Sequence, residues 1–424
     1  MKHYLTLLLL ATACASVPPD AGTSDVQRAI AERTTQSTET GGELTADKAV
    51  ALALANNPRL QATLAELGIA RADLMQASVV RNPLFEAEIR FPRDPFRPFE
   101  LRLAQTLVDL IQLPRRRAAG RAAFDAAKLR VTSEVLRFAS DVRARHAELL
   151  AASQRVAQAR TNFEAAQASV ELAQRQHDAQ NITDLDLETE QAQYEQAKLE
   201  LAREEQRLIV AREAFVRATG VRDWKLPADF PSLPPSESDQ QQLEQLAATR
   251  RLDVDIARRE LDLARRQISV ARLAALGDIT ADVHYQRDAE GARTVGPGIE
   301  LPVPIFNTGA AARSRAEAEY LRARHTLDAL LVESSSQLRT ARASVAEARA
   351  RVEYYRDVIL PRRARIVELT KLQHNAMLSG VFQLLQAKQS EAQARRDFID
   401  AQLDYWSARN ELDRAVNGVL EGGK

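Results

Sequence analysis

The chain has 424 residues and balances 58 Lys and Arg against 58 Asp and Glu, which argues against a nucleic-acid binder with its usual basic excess. Aromatics make up 5%, only 15 Gly occur, and a single Cys precludes an internal disulfide. Abundant Ala, Leu, Gln, Glu and Arg favour long helices packed through Ala and Leu seams over one large mixed core.

Residues 1–13 read as a secretory signal: Lys2, a short apolar run over 4–10, then Ala11, Thr12 and Ala13. That run is too short to cross a bilayer as a helix, and no later stretch approaches the required length. Membrane insertion, if it occurs, must therefore use strands. Cys14 sits as the acylated cysteine of a lipobox does, although Ala11 stands where Leu is usual. Lipidation of Cys14 is the expectation, and cleavage with Cys14 as a bystander is the alternative. Ala15 after the cysteine resembles lipoproteins sorted to the outer membrane. Residues 14–43 read as a polar tether with a short helix near 26–33.

Helical periodicity opens at residue 44 with Thr45 as N-cap and stops at Arg81-Asn82-Pro83. Strand-like sequence covers 84–107. A helix is expected over 115–177; roughly 60 residues at ~1.5 Å each reach ~90 Å and need a partner helix alongside. A break at 181–184 leads to a helix over 185–219, closed by Gly220. Residues 221–238 form a Pro-rich linker. The order then returns: helix 239–276, strands 278–303, a long helix 310–377 kinked at Pro361, a turn at Ser379-Gly380, and a helix ending near 417. Residues 419–424 are a tail.

Internal duplication underlies this order. Phe85, Ala87, Ile89 and Phe91 match Ile279, Ala281, Val283 and Tyr285 at one constant offset, so 44–220 and 239–418 read as two repeats. Each strand alternates apolar with polar residues. Phe85, Ile89, Phe91, Leu101, Leu103, Ile279, Val283, Tyr285, Ile299 and Leu301 form the apolar set, and Glu86, Glu88, Arg90, Glu100, Arg102, Asp282 and His284 lie opposite. A soluble sheet packed on a helix gives this pattern, and so does a transmembrane barrel with the apolar face toward lipid. Four strands cannot close a barrel, so the membrane reading requires an oligomer.

Four segments then resemble one family. The run Gly298-Ile-Glu-Leu-Pro-Val-Pro-Ile-Phe-Asn-Thr-Gly309 and the run Ala104-Gln-Thr-Leu-Val-Asp109 resemble the strand-to-helix junctions of TolC-type outer membrane factors. Asn181-Ile-Thr-Asp-Leu-Asp-Leu187 and Leu378-Ser-Gly-Val-Phe-Gln-Leu-Leu385 resemble their two helical-hairpin tips. The resemblance implies a mainly α chain with a small transmembrane β part. It implies a homotrimer with a twelve-stranded β-barrel in outer-membrane lipid above an α-barrel in the periplasm. It also implies a periplasmic adaptor (membrane fusion protein) and an inner-membrane pump of the RND type as partners. By matched position it assigns Asp184, Asp186 and Gln383 to the periplasmic gate, and Ile182, Leu185, Leu187, Ser379, Gly380 and Val381 to adaptor contact. A helix N-cap is the competing role for Asp184. The second tip and residues 109–115 resemble members associated with copper or other heavy-metal efflux.

Nothing in the sequence points to an enzyme. There is no phosphate-binding Gly-rich Lys-Ser/Thr loop, no nucleophile–base set, no cofactor motif, and no His or Cys group at metal-ligand spacing. The main alternative is a periplasmic coiled-coil structural or adaptor protein without a membrane barrel.

Overall fold

In a computed structural model the chain is described over residues 22–32, 43–91, 98–235, 239–274, 277–288, 290–303, 305–306, 308–376, 378 and 380–419. The signal segment, Cys14 and Ser379 fall outside the described residues. Among the described residues ten α-helices and four strands follow one another: α1 Thr23–Ala31, α2 Ala46–Asn56, α3 Pro58–Ala77, β1 Leu84–Ile89, β2 Phe99–Thr106, α4 Leu107–Asp178 and α5 Asp184–Thr219. Then come α6 Gln240–Arg250, α7 Leu252–Ala274, β3 Thr280–Arg287, β4 Arg293–Glu300, α8 Ala310–Tyr354, α9 Leu360–Asn375 and α10 Val381–Asn417. The protein is mostly helical with few strands. Among the described residues no helix is long and apolar enough to cross a membrane.

The chain forms two compact units, each drawing on several stretches of sequence. One holds Ala62–Ser133, Leu252–Val332 and the N-terminal stretch to Ala29. All four strands lie in it, as a single antiparallel sheet in the order β1-β2-β3-β4. The central pairing joins β2 to β3.

The other unit holds Ile30–Gln61, Glu134–Arg251 and Glu333–Lys424. Its helices pack through small seams, as the composition implies. Ala49, Val50, Ala53, Ala139, Val142 and Leu149 enclose Phe215 in one cluster. Leu338, Ala341, Val345 and Ala348 meet Ala401, Tyr405 and Leu412 in another. Thr45 caps α2 by accepting from the Lys48 amide (3.3 Å), and Gly220 and Gly418 end α5 and α10 in the left-handed region.

Where the helices break, the structure departs from the sequence reading. The single helix expected over 44–80 is split at Asn57-Pro58. Pro58 has no amide hydrogen, and its ring disfavours helical geometry at Asn57. Asn57 is buried there and donates through Nδ2 to the last carbonyls of α5, Ala218 O (2.7 Å) and Arg217 O (3.3 Å). The helix expected over 239–276 breaks at Arg251, without a proline. Buried Arg251 donates to Ala415 O (2.8 Å) near the end of α10 and to Gln337 Oε1 (3.1 Å). Different side chains thus satisfy carbonyls at corresponding helix ends.

Two proline effects also differ from expectation. Helix α4 starts at Leu107 rather than residue 115 and runs through Pro114. The kink expected at Pro361 is taken up by a wider turn over Tyr355–Ile359, which leaves Pro361 in the first turn of α9, where its missing N–H costs little.

His146 is buried and shares a 2.7 Å hydrogen bond between Nε2 and Leu44 O. Burial pushes its pKa below the usual histidine value, more than the Leu44 carbonyl and Asp47 raise it. The neutral ring is therefore the folded form, and stability is complete above about pH 6.5 and declines as pH falls below it. Thermal melts of the wild type should drop between neutral pH and about pH 5. His146→Gln should flatten that part of the profile.

Candidate functional sites: the sheet and the hairpin tips

The strand register sorts the side chains onto two faces. Phe85 pairs with Leu103, Ala87 with Leu101 and Ile89 with Phe99. Leu103 then pairs with Val283, and Leu101 with Tyr285. Val283 pairs with Pro297, Tyr285 with Val295 and Ala281 with Ile299. This apolar face is open: Phe85 is 65% exposed, Ile89 58%, Val283 55% and Ile299 69%. A contiguous exposed patch of this kind marks contact with another apolar phase. Among the described residues β1 and β4 each present one unpaired edge.

The opposite face is charged. Arg102 Nη2 donates to Asp282 Oδ1 (3.2 Å) and to Glu300 Oε2 (3.1 Å), so one guanidinium spans three strands. Asp282 is 9% exposed and lies across β4 at Gly298. A Cβ there would fall 2.7 Å from Asp282 Oδ1, so only glycine leaves room for the carboxylate.

The apolar set needs correction at the strand ends. Phe91 lies two residues beyond β1, Ile279 one before β3 and Leu301 one after β4. Ile279 serves through its backbone, where its carbonyl accepts from the Leu107 amide (2.7 Å). β4 begins at Arg293, upstream of the strand read from Ile299 onward. The sequence Gly296-Pro297-Gly298 reads as a turn. It is tolerated as strand because β4 is an edge strand, where a residue without an N–H breaks no ladder.

Below the sheet, where strands meet helices, Arg81 joins three segments. Its Nε donates to Asp109 Oδ2 (2.5 Å) at the start of α4, and its Nη2 to Asp278 Oδ1 (2.9 Å) just before β3. Asp109 is 2% exposed and also has Arg116 Nη1 at 3.7 Å. The Arg81 hydrogen bond, followed by its charge, holds the Asp109 carboxyl below the usual aspartate range, and both partners raise Arg81. Asp109 belonged to a junction motif, whereas nothing in the sequence singled out Arg81.

At the first hairpin tip, α4 ends in a turn with Gln180 at φ 57°, and Thr183 caps α5. Thr183 Oγ1 accepts from the Asp186 amide (3.3 Å), and Asp186 Oδ2 accepts from the Thr183 amide (3.0 Å), a reciprocal capping box. Asp184 is therefore not the cap, which corrects that alternative. Its side chain is 95% exposed, and its Oδ1 lies 2.7 Å from His177 Nε2. Leu185 is 75% exposed, Ile182 is half-buried, and Leu187 is buried within the unit, so Leu187 offers no outward surface in this chain. At the second tip Gly380 caps α10 without a side chain, Leu378 is 79% exposed and Gln383 is exposed. Val381 begins α10; its side chain is outside what is described.

Residues 243–418 match the family model described as outer membrane efflux protein. The likeness lies in the C-terminal part of the chain. Over 403 residues it is 27% identical to the cobalt-zinc-cadmium resistance protein CzcC of Cupriavidus metallidurans, covering 89% of this chain and 91% of that protein. Among solved structures it superposes on CusC with a TM-score of 0.73 and 17% identity, covering 91% of this chain and 97% of that one. A membrane protein from Pseudomonas aeruginosa gives a TM-score of 0.75 at 21% identity, covering 91% and 92%. These structural likenesses show a shared fold. Family members are outer membrane efflux channels.

Proposed function

We propose that this chain is the outer-membrane channel subunit of a tripartite efflux system, conducting substrates without covalent chemistry. The observation that carries this reading is the sheet: one open apolar face, one charged face, two unpaired edges, and too few strands to close. Three copies supply twelve strands and remove every edge, with the apolar face toward lipid and the Arg102–Asp282–Glu300 face toward a wet lumen. The two repeats, 44–220 and 239–418, each contribute one hairpin to the barrel and one helical hairpin to a periplasmic α-barrel. An acylated Cys14 adds an anchor in the outer membrane. A periplasmic adaptor docks on the tips through Leu185, Ile182, Gly380 and their neighbours, and an inner-membrane pump of the RND type supplies the energy. The likeness to a cobalt-zinc-cadmium resistance protein favours heavy-metal ions as cargo.

Membrane fractionation tests this reading against a periplasmic structural protein. Recovery with outer membranes is expected, and recovery as a soluble periplasmic protein would sink the channel. At the entrance, the exposed Asp184 held by His177 is the gate residue to test. Asp184→Ala should raise the closed-state conductance of channels in planar bilayers, and unchanged conductance would remove Asp184 from the gate.

A further inference from the structure

The apolar face of the sheet does not stop at the strand ends. Beyond β4, Leu301, Val303 and Ile305 continue the alternation at 60%, 75% and 71% exposure, and Phe306 is fully exposed. Beyond β2, α4 opens with Leu110 and Ile111, each about half exposed. At ~3.3 Å per residue and a tilt of ~40°, an extended run from Val295 to Ile305 covers ~25 Å, the height of the lipid-facing band of an outer-membrane barrel.

Just past this band, each of the two long helices carries an arginine. Arg115 lies one turn beyond Ile111 on the same face of α4, and Arg313 lies in the first turn of α8. The offset that aligns Arg115 with Arg313 also aligns Leu101 with Ile299 and Leu103 with Leu301, so both arginines follow their strands at the same distance along the chain. Both are exposed, and among the described residues neither guanidinium has a hydrogen-bond or ion-pair partner. By contrast, Arg116 is held by Val79 O and Asp109, and Arg315 by Glu319. Both helices begin at the sheet, and helical side chains lean toward the helix N-terminus, so the two arginine stems are directed back toward the band.

We infer that Arg115 and Arg313 bind the headgroup phosphates of anionic phospholipid in the leaflet that faces the helices. The inference rests on the membrane reading of the sheet and deepens it. An arginine stem lies along apolar surface while its head reaches polar atoms, and the guanidinium fork matches two phosphate oxygens. Arginines immediately beyond an apolar band meet the phosphate layer, where anionic lipid holds a basic side chain more strongly than zwitterionic lipid does. In the proposed trimer the pair recurs in every copy and rings the foot of the barrel.

The test reconstitutes the purified full chain into phosphatidylcholine vesicles that contain phosphatidylglycerol as a minor component. Flotation reports insertion, and native mass spectrometry reports which lipid stays bound. The wild type should retain phosphatidylglycerol about tenfold or more above its share of the vesicle, and Arg115→Gln/Arg313→Gln should float and lose that preference. The control Arg322→Gln/Arg324→Gln, further along α8, should keep it; loss there would assign the preference to basic surface in general and overturn the site. A double variant Arg115→Gln/Arg313→Gln that keeps the preference, or a floating wild type that has none, also overturns it. The wild type alone gives a second reading: the preference should shrink several-fold between ~0.05 and ~0.5 M salt, and a salt-independent preference overturns capture by charge. A wild type that does not float overturns the membrane reading itself, a distinguishable result.

Discussion

Val283→Arg is expected to abolish assembly in the outer membrane, whereas Ile89→Arg is expected to be tolerated. Both residues are exposed on the apolar face, and alternation alone treats them alike. The register separates them. Val283 lies level with Phe85, Leu103 and Pro297 in the interior of the sheet. Ile89 lies level with Phe99, Arg287 and Arg293, in a row that already carries two guanidiniums. An arginine facing lipid costs about 2–4 kcal/mol at the bilayer midplane and about 0–1 kcal/mol near the interface. Three copies multiply the cost in the proposed trimer. Folded oligomer resistant to mild detergent on gels, measured alongside flotation, reports the outcome. Equal loss in both variants would place the membrane midplane elsewhere on the sheet. Normal assembly of Val283→Arg would remove the lipid from this face.

The second large effect is expected at Arg81. Arg81→Ala leaves Asp109 buried with the Arg116 guanidinium at 3.7 Å and the backbone amide of residue 81, and frees Asp278 from the junction. Breaking a buried ion pair from one side costs about 3–5 kcal/mol, and the half-exposed Arg81 brings the expectation down to about 2–3 kcal/mol. Arg81→Lys should recover part of this, because it keeps the charge and loses the forked geometry. The pH dependence has a definite sign. The Asp109 pKa is depressed in the folded chain, so the pair's contribution is complete above the unfolded aspartate value of about 3.9 and is lost as pH falls through the lower folded value. The stability gap between wild type and Arg81→Ala should therefore be full at neutral pH and close in strong acid. A gap independent of pH would mean that Arg81 acts by packing alone.

Much of the architecture was legible because it rests on local signals. Thr45, Gly220 and Gly418 mark helix ends through backbone chemistry that a sequence displays directly. The alternation of β1 to β3 is a local pattern too. What escaped were features decided at a distance. Gly296-Pro297-Gly298 looks like a turn until the edge position of β4 is known. Arg251 breaks a helix without any breaker residue, because carbonyls some 80 and 160 positions away along the chain receive its guanidinium. At the first tip the sequence offered Asp184 as a cap, and only the geometry of Thr183 assigns the capping box to Asp186 and leaves Asp184 to His177. Arg81 was invisible because its two partners lie 28 and 197 positions away along the chain.

The open edges of β1 and β4 carry a genetic consequence. The proposed ring, closed by joining each subunit's last strand to its neighbour's first, is only as good as its worst member. A chain that folds and is exported, but whose β1 or β4 cannot pair, still occupies a place in the ring and wastes the sound subunits beside it. Alleles damaged at these edges should therefore behave as dominant over a wild-type copy, whereas alleles that stop the chain from being made should be recessive.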